Sequence, residues 1–366
     1  MSQDICRWGI LGTAFIAKKN WKSIWNSDNA TLVAVASRSE ERAAEYIAEN
    51  QAQVPFDPAP EAVGSYEALL ARDDIDAVYV PLPTGIRKEW VIKAAEAGKH
   101  VMGEKPCGDT LADVEEITAA CRANNVQYMD GVMFMHSARL PAIREKIDSG
   151  EIGDLRRITT QFSFFAPEDF REGNIRVSSS LESLGCLGDL GWYNIRFSLF
   201  AMKYALPEKV TGRLLTEYGR ADSPEAVPVE FSGEMFWPGG VSASFYCSFV
   251  TEHQQWAHIS GTKGYLRVDD FVLPYFGSDS GFDIASHQFD FYGSDFNMRN
   301  ATRHVPVPEY SNSFPGAQET ELFRNFSTLA LSGSSDDFWP DVALKTQCVL
   351  NACLESARNG SEPVEL

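Results

Sequence analysis

At 366 residues the chain is longer than one ordinary hydrophobic core absorbs, so two domains are expected. Its 44% hydrophobic and 23% charged content fits a globular protein in water, and a net charge of −19 argues against nucleic acid or a membrane surface as partner. Seven scattered cysteines with no C-x-x-C pair, no metal-ligand spacing and no basic-then-apolar leader make free thiols, no metal and a cytoplasmic location the expectation.

The first apolar run (Ile5, Trp8, Ile10, Leu11) ends at Gly12, and a helical pattern opens at Thr13. A strand entering a helix through a small-residue turn offers backbone N–H groups to an anion. The turn reads Gly12-x-Ala14-x-x-Ala17 against the dinucleotide fingerprint G-x-G-x-x-G/A. Gly12, Thr13, Ala14, Phe15 and Ile16 are therefore candidate cofactor residues. Residues 31–37 form a continuous apolar run, as in a strand covered on both faces. It ends in Ser37-Arg38, where an NAD-preferring site carries Asp or Glu for the ribose 2′-OH. A hydroxyl and a guanidinium suit a 2′-phosphate instead, so NADP(H) is expected, with NAD(H) as the alternative. Lys18, Lys19, Lys22, Arg38 and Arg42 form a positive cluster, part of which is expected to meet phosphate.

Pro55, Pro58, Pro60 and Gly64 make 51–64 a predicted loop. A third strand over 77–81 runs into Pro81-Leu82-Pro83-Thr84, a rigid lip over a cofactor crevice. A helix over 86–97 stops at Gly98, and a fourth strand covers 100–104. Thr110-x-x-Asp113 opens another helix, and 127–131 is the fifth strand. This alternation predicts a doubly wound α/β domain over 1–130 with a mostly parallel sheet and ligands at the strands' carboxyl ends. Gly103-Glu104-Lys105-Pro106 lies at such an end. A charged pair directly after a buried strand is unusual, which makes Lys105 a candidate active-site cation and Glu104 a cofactor neighbour.

Beyond about residue 150 the period becomes two, over 158–164 and 241–249, and Gly261-Thr262-Lys263-Gly264 reads as a hairpin turn. The rest, 131–366, is predicted as an α+β domain on an open, mainly antiparallel sheet, with helices at 184–202, 318–331 and 341–358. The segment 272–316 is predicted to be mostly loop. Asp189 and Tyr193 lie at i and i+4 of the first of these helices. Gly185, Gly188 and Gly191 each weaken a helix by about 1 kcal/mol, so close approach to a flat ligand such as nicotinamide, or close helix packing, must require them. Phe134, His136, Phe164, Asn174, Arg176 and Trp192 lie in segments expected to border the crevice, a mixture suited to a polyol. A hydrogen-bonded structural position is the competing reading for His136.

Glu104-Lys105-Pro106, Asp189-Leu190-Gly191-Trp192-Tyr193 and the opening turn resemble the glucose–fructose oxidoreductase/inositol dehydrogenase/MocA family of NAD(P)-dependent oxidoreductases. The resemblance spans essentially the whole chain. It implies a Rossmann domain and a second domain whose open sheet often forms the contact in a homodimer or homotetramer. Tyr193 stands at the position where the family most often has histidine. This looks like the branch containing dimeric dihydrodiol dehydrogenase, NADP-dependent D-xylose dehydrogenase and glucose–fructose oxidoreductase. Thr84 and Arg87 depart from the family's Asn and His after the third strand. The implied activity is hydride transfer between nicotinamide and a hydroxyl or carbonyl carbon of a sugar, such as D-xylose, or of a trans-dihydrodiol. Tyr193 would be the acid/base and Lys105 would lower its pKa, with Asp189 holding Lys105 or a sugar hydroxyl. The alternatives are a family glycosidase that retains its nicotinamide, and a non-catalytic NADP(H) sensor.

Overall fold

β1 (Cys6–Leu11) occupies the middle of the first sheet because its Cys6, Trp8, Ile10 and Leu11 side chains are all buried. The structure, a computed structural model, describes residues 5–366. The chain alternates from β1 through α1 (Phe15–Asn26), β2 (Ala30–Ala36), α2 (Glu40–Gln51), β3 (Glu61–Val63) and α3 (Tyr66–Leu70). It continues through β4 (Ala77–Val80), α4 (Thr84–Glu96), β5 (His100–Gly103), α5 (Leu111–Ala123) and β6 (Tyr128–Asp130). The six strands pair in parallel in the order β3-β2-β1-β4-β5-β6, the doubly wound arrangement. The Thr110 hydroxyl accepts from the Asp113 N–H while the Asp113 carboxylate accepts from the Thr110 N–H, a capping box that starts α5. Residues 51–64 are not all loop, because β3 lies inside them as a three-residue edge strand.

After α6 (Arg139–Asp148) come β7 (Leu155–Phe165), α7 (Glu168–Gly173), α8 (Trp192–Ala201), β8 (Lys209–Tyr218), β9 (Val227–Phe236), β10 (Ser242–Ser248) and β11 (Val250–Gly261). Next are β12 (Tyr265–Val268), β13 (Phe282–Ala285), β14 (Gln288–Tyr292), β15 (Asp295–Arg299) and β16 (Thr302–Val305). α9 (Gln318–Leu331), α10 (Phe338–Arg358) and β17 (Val364–Glu365) follow. Nine of these strands form the second sheet, ordered β16-β13-β12-β11-β7-β10-β9-β8-β17. Its pairs are antiparallel except β7 with β10, so the sheet is mixed. One face is buried, with Ile158, Phe245 and Ala257 turned inward, while Thr159, Ser244 and His258 on the other face are half-exposed. The segment 272–316, predicted to be mostly loop, contains four strands. β13 and β16 extend the sheet, and β14 with β15 forms a separate two-stranded ribbon.

α9 returns to the first sheet. Phe323 and Phe326 pack on Trp8, each with ring centroids 5.1 Å from its ring, and the Trp8 indole donates to Ser327 Oγ at 3.0 Å. Among the described residues no helix is long and apolar enough to cross a membrane.

Candidate active site

Where β1, β2 and β4 end, a crevice of about 710 Å³ opens, lined by Gly12, Thr13, Ala14, Ser37, Arg38, Arg42 and the Pro81-Leu82-Pro83 lip. Gly12 sits at φ +107°, and a Cβ there would lie 3.0 Å from Leu82 Cδ2. Ala14 occupies the cap position of α1 without a side-chain cap, so the helix's first N–H groups are left for an anion. Arg38 makes no ion pair among the described residues, and Arg42 Nε donates to Thr13 Oγ1 at 3.1 Å. A pinched turn, uncapped N–H groups and two guanidiniums are the donor set a phosphorylated dinucleotide needs. Phe15 and Ile16 lie outside the crevice lining, and the Phe15 ring is exposed. Of the positive cluster, Lys18 pairs with Glu49 at 2.5 Å, Lys19 with Glu319 at 2.6 Å, and Lys22 lies over the Phe314 ring.

The next strand end carries the charged groups. β5 lies beside β4, with Gly103 opposite Val80, so Glu104 and Lys105 emerge next to the proline lip. Lys105 Nζ donates to the Asp189 carboxylate at 2.7 Å and to its backbone carbonyl at 2.6 Å. Arg176 Nε reaches the other Asp189 oxygen at 2.8 Å. Burial would push the Asp189 carboxyl up, but Arg176 and Lys105 outweigh it and hold the group at about 2. The ammonium of Lys105 also lies 4.8 Å from the Tyr193 ring centroid, over its face. That placement corrects the expected tuning. Burial, then the charges of Glu104 and Asp189, push the Tyr193 phenol well above 10, with Arg176 opposing. Lys105 spends its charge on Asp189 instead. Glu104 accepts from the buried Tyr79 hydroxyl and from the Lys105 N–H at 3.3 Å.

Tyr193 and Asp189 are carried on two kinds of helix. Leu187–Gly191 is a π-helical turn and α8 begins only at Trp192, so 184–202 is not one regular helix. Packing by itself requires the glycines. A Cβ on Gly185 would lie 2.0 Å from the Pro228 carbonyl, and one on Gly188 would lie 2.8 Å from Leu184 Cβ and 3.1 Å from Pro106 Cγ. One on Gly191 would lie 2.9 Å from Leu187 Cδ1.

Three residues expected to border the crevice are sealed in the core instead. Phe134 packs against Tyr193, Phe197 and Phe271. The Trp192 indole donates to Asp130 at 3.1 Å. His136 stacks on Trp339 at 4.7 Å beside Asn325, and burial holds its pKa at about 3. Apolar ring area and one satisfied polar edge account for all three positions. Phe164 packs on Phe170 and Phe249, and the Asn174 side chain accepts from the Arg176 N–H at 3.0 Å. Of the expected substrate residues, Arg176 is the one joined to the charged cluster.

Residues 6–132 match the GFO_IDH_MocA family, described as an oxidoreductase family with an NAD-binding Rossmann fold, and residues 141–267 match the GFO/IDH/MocA C-terminal domain. The chain belongs to the GFO/IDH/MocA oxidoreductases. It is 32% identical to a dTDP-3,4-didehydro-2,6-dideoxy-alpha-D-glucose 3-reductase of Saccharopolyspora spinosa, over 73% of this chain and 76% of the relative. It is 31% identical to D-xylose 1-dehydrogenase (NADP(+)) 2 of Haloferax volcanii, over 71% and 75% of the two chains. Trans-1,2-dihydrobenzene-1,2-diol dehydrogenase of mouse is 30% identical over 73% and 76%. The crystal structure of KijD10, a 3-ketoreductase of Actinomadura kijaniata with NADP and TDP-benzene, superposes with a TM-score of 0.79 at 23% identity, covering 98% of both chains.

This oxidoreductase uses Thr84 and Arg87, its departures from the family pattern, for architecture. Thr84 gives its hydroxyl to Glu182 at 2.6 Å and its N–H to the same carboxylate at 3.1 Å. Buried Arg87 donates to the Leu82 carbonyl at 2.9 Å and to that of Pro106, tying the lip to the strand end. Gly85 donates to the Leu181 carbonyl at 3.0 Å, and a Cβ there would lie 2.3 Å from the Ser180 carbonyl. The segment around 174–186 thus lies against the crevice, and Ile175 and Leu181 line it. The sequence reading also missed Asp130, which pairs with Arg196 at 2.7 Å with both side chains fully buried. The signal that singled out Lys105, a charge directly at the end of a buried strand, is present there too.

Proposed function

We propose that this oxidoreductase moves a hydride between NADP(H) and a hydroxyl or carbonyl carbon of a sugar, such as the aldose D-xylose, or of a trans-dihydrodiol. When bound, the nicotinamide gives or takes the hydride. Tyr193 handles the proton. In the reducing direction its phenol donates O–H to the carbonyl oxygen as that oxygen gains charge. A phenol kept protonated by its surroundings suits this direction. Lys105 and Arg176 supply positive charge where the oxygen becomes negative, and Asp189 holds both in place.

The observation that carries this reading is the Lys105–Asp189–Arg176 cluster against the Tyr193 ring, one strand end away from the crevice. For NADP over NAD, the support is Ser37, Arg38 and Arg42 lining the crevice with no carboxylate at the end of β2. A relative named as an NADP(+) xylose dehydrogenase agrees with it. All seven cysteines are free, which supports a reducing, cytoplasmic setting. The half-exposed face of the second sheet is the surface we assign to a second copy in a homodimer or homotetramer.

The test is nicotinamide absorbance over time with purified protein, NADP⁺ or NAD⁺, and a panel of aldoses and trans-dihydrodiols. Reduction of NADP⁺ well ahead of NAD⁺ is the expected result. The latch of 174–186 over the crevice favours a second reading, a glycosidase whose nicotinamide stays bound. Absence of exchange-dependent turnover, with cofactor carried through gel filtration, would replace the first reading with that one.

A further inference from the structure

The ribbon of β14 and β15 is amphipathic, and its apolar side is left largely exposed by the described residues. Phe289 pairs with Met298 and Phe291 with Phe296, so all four project from one face. They are 54–65% exposed. The Phe291 and Phe296 rings touch at 4.5 Å between centroids. The other face carries Gln288, Asp290, Tyr292, Asp295, Asn297 and Arg299, with Arg299 paired to Asp290 at 2.5 Å. An isolated two-stranded ribbon is marginal in water, and four large apolar side chains on one exposed side worsen its position. This alternation is that of a strand pair whose covering layer comes from elsewhere.

A second copy of the chain suits that side. The ribbon grows directly out of the half-exposed sheet face through an aromatic ladder. Trp256 meets His258 at 4.9 Å, His258 meets Tyr265 at 6.1 Å, and Tyr265 meets His287 at 5.8 Å, one residue before β14. Two ion pairs lie on that face, Arg157 on Glu234 at 3.1 Å and Arg267 on Asp283 at 2.7 Å. Those pairs offset part of the like charge that two copies, each at −19 overall, bring together. Area decides how the ribbon is used. At roughly 200 Å² per large side chain, the exposed part of its apolar face is on the order of 500 Å². Two ribbons packed only on each other would bury about 1,000 Å², below the roughly 1,200 Å² at which stable interfaces begin.

We propose that residues 288–299 are an arm that clasps a second copy, its Phe289, Phe291, Phe296 and Met298 face packing on the partner's body beside the paired sheet faces. This rests on the reading that those sheet faces meet in a homo-oligomer. Closed two-fold symmetry then makes the clasp reciprocal, so each interface carries two arms.

Sedimentation of the full chain across a concentration series, with two ribbon variants, tests it. One variant replaces the four apolar residues together by serine. The other replaces 288–299 by two glycines, which Ser286 and Ala301 permit because the Ser286 N–H already bonds the Ala301 carbonyl at 2.9 Å across the ribbon's root. The expected result is an oligomeric wild type and an assembly constant at least tenfold weaker in both variants, with circular dichroism and NADP affinity unchanged. Assembly equal to wild type in the variants, alongside dissociation by Trp256→Glu, would overturn the arm and leave the sheet-face reading standing. A wild type that is monomeric at every concentration would overturn both.

Discussion

Asp130 and Asp189 are both carboxylates held by arginine, and the proposed function gives them different work. Asp130 is sealed. It and Arg196 expose no side-chain surface, and the Trp192 indole takes one of its oxygens. Asp189 has two cations to one carboxylate, and Arg176 keeps 41% of its side chain exposed. A neutral, sealed pair can only hold elements together, here the end of β6 to α8. A trio with one cation in surplus beside a crevice can also meet an oxygen that becomes negative. On the proposed function, the same residue types serve architecture or chemistry according to how much water and how many partners each carboxylate has.

The largest effect is expected at Tyr193, the proposed acid beside this arrangement. Tyr193→Phe should lower kcat by about 10²–10⁴ with cofactor affinity intact, and an unchanged rate would remove the proton-transfer role. Because the phenol is pushed up, its acid form persists to higher pH. The reductive rate should therefore hold through about pH 9, and an alkaline fall near 7 would contradict the raised pKa. Asp130→Ala strands Arg196 in the core and should cost about 3–5 kcal/mol in chemical denaturation. Asp189→Asn should cost less stability but more kcat. Equal stability losses at the two aspartates would erase the distinction drawn above. Arg38→Ala should weaken NADP binding by about 1.5–3 kcal/mol and leave NAD binding nearly unchanged, read by titration calorimetry. The smallest effect is expected from Glu182→Gln, which weakens the latch on Thr84. About 1 kcal/mol lost there should speed cofactor release roughly fivefold in stopped-flow displacement.

The first domain was legible because its signals are local. An apolar run ending at Gly12, the Thr110 capping box and Gly98 after α4 each declare an element without help from distant residues. β3 escaped notice because an edge strand of three residues can sit among prolines and still pair on one side. The ribbon escaped because Phe289-Asp290-Phe291 alternates for only a few residues within a Gly- and Pro-rich stretch. Lys105, Asp189 and Tyr193 were singled out by type and spacing, and the hold of Asp189 on Lys105 was one of the two roles expected of it. The sequence could not show that Arg176 would join them, because it lies in a short stretch with no periodicity of its own. The purpose of Gly185, Gly188 and Gly191 was likewise hidden, since it lies in contacts with Pro228, Pro106 and Cys247 from distant parts of the chain.

α9 carries a consequence for how the molecule is made. Trp8 rests on Phe323 and Phe326 and bonds Ser327, a partner 319 residues further along. A chain leaving the ribosome in order produces all six strands of the nucleotide-binding sheet long before the helix that covers β1. Until α9 arrives, Trp8 has no cover from those rings, and the first domain waits on a helix 319 residues further along to complete its own interior. Truncation after residue 132 should therefore yield a sticky fragment rather than a smaller nucleotide-binding protein.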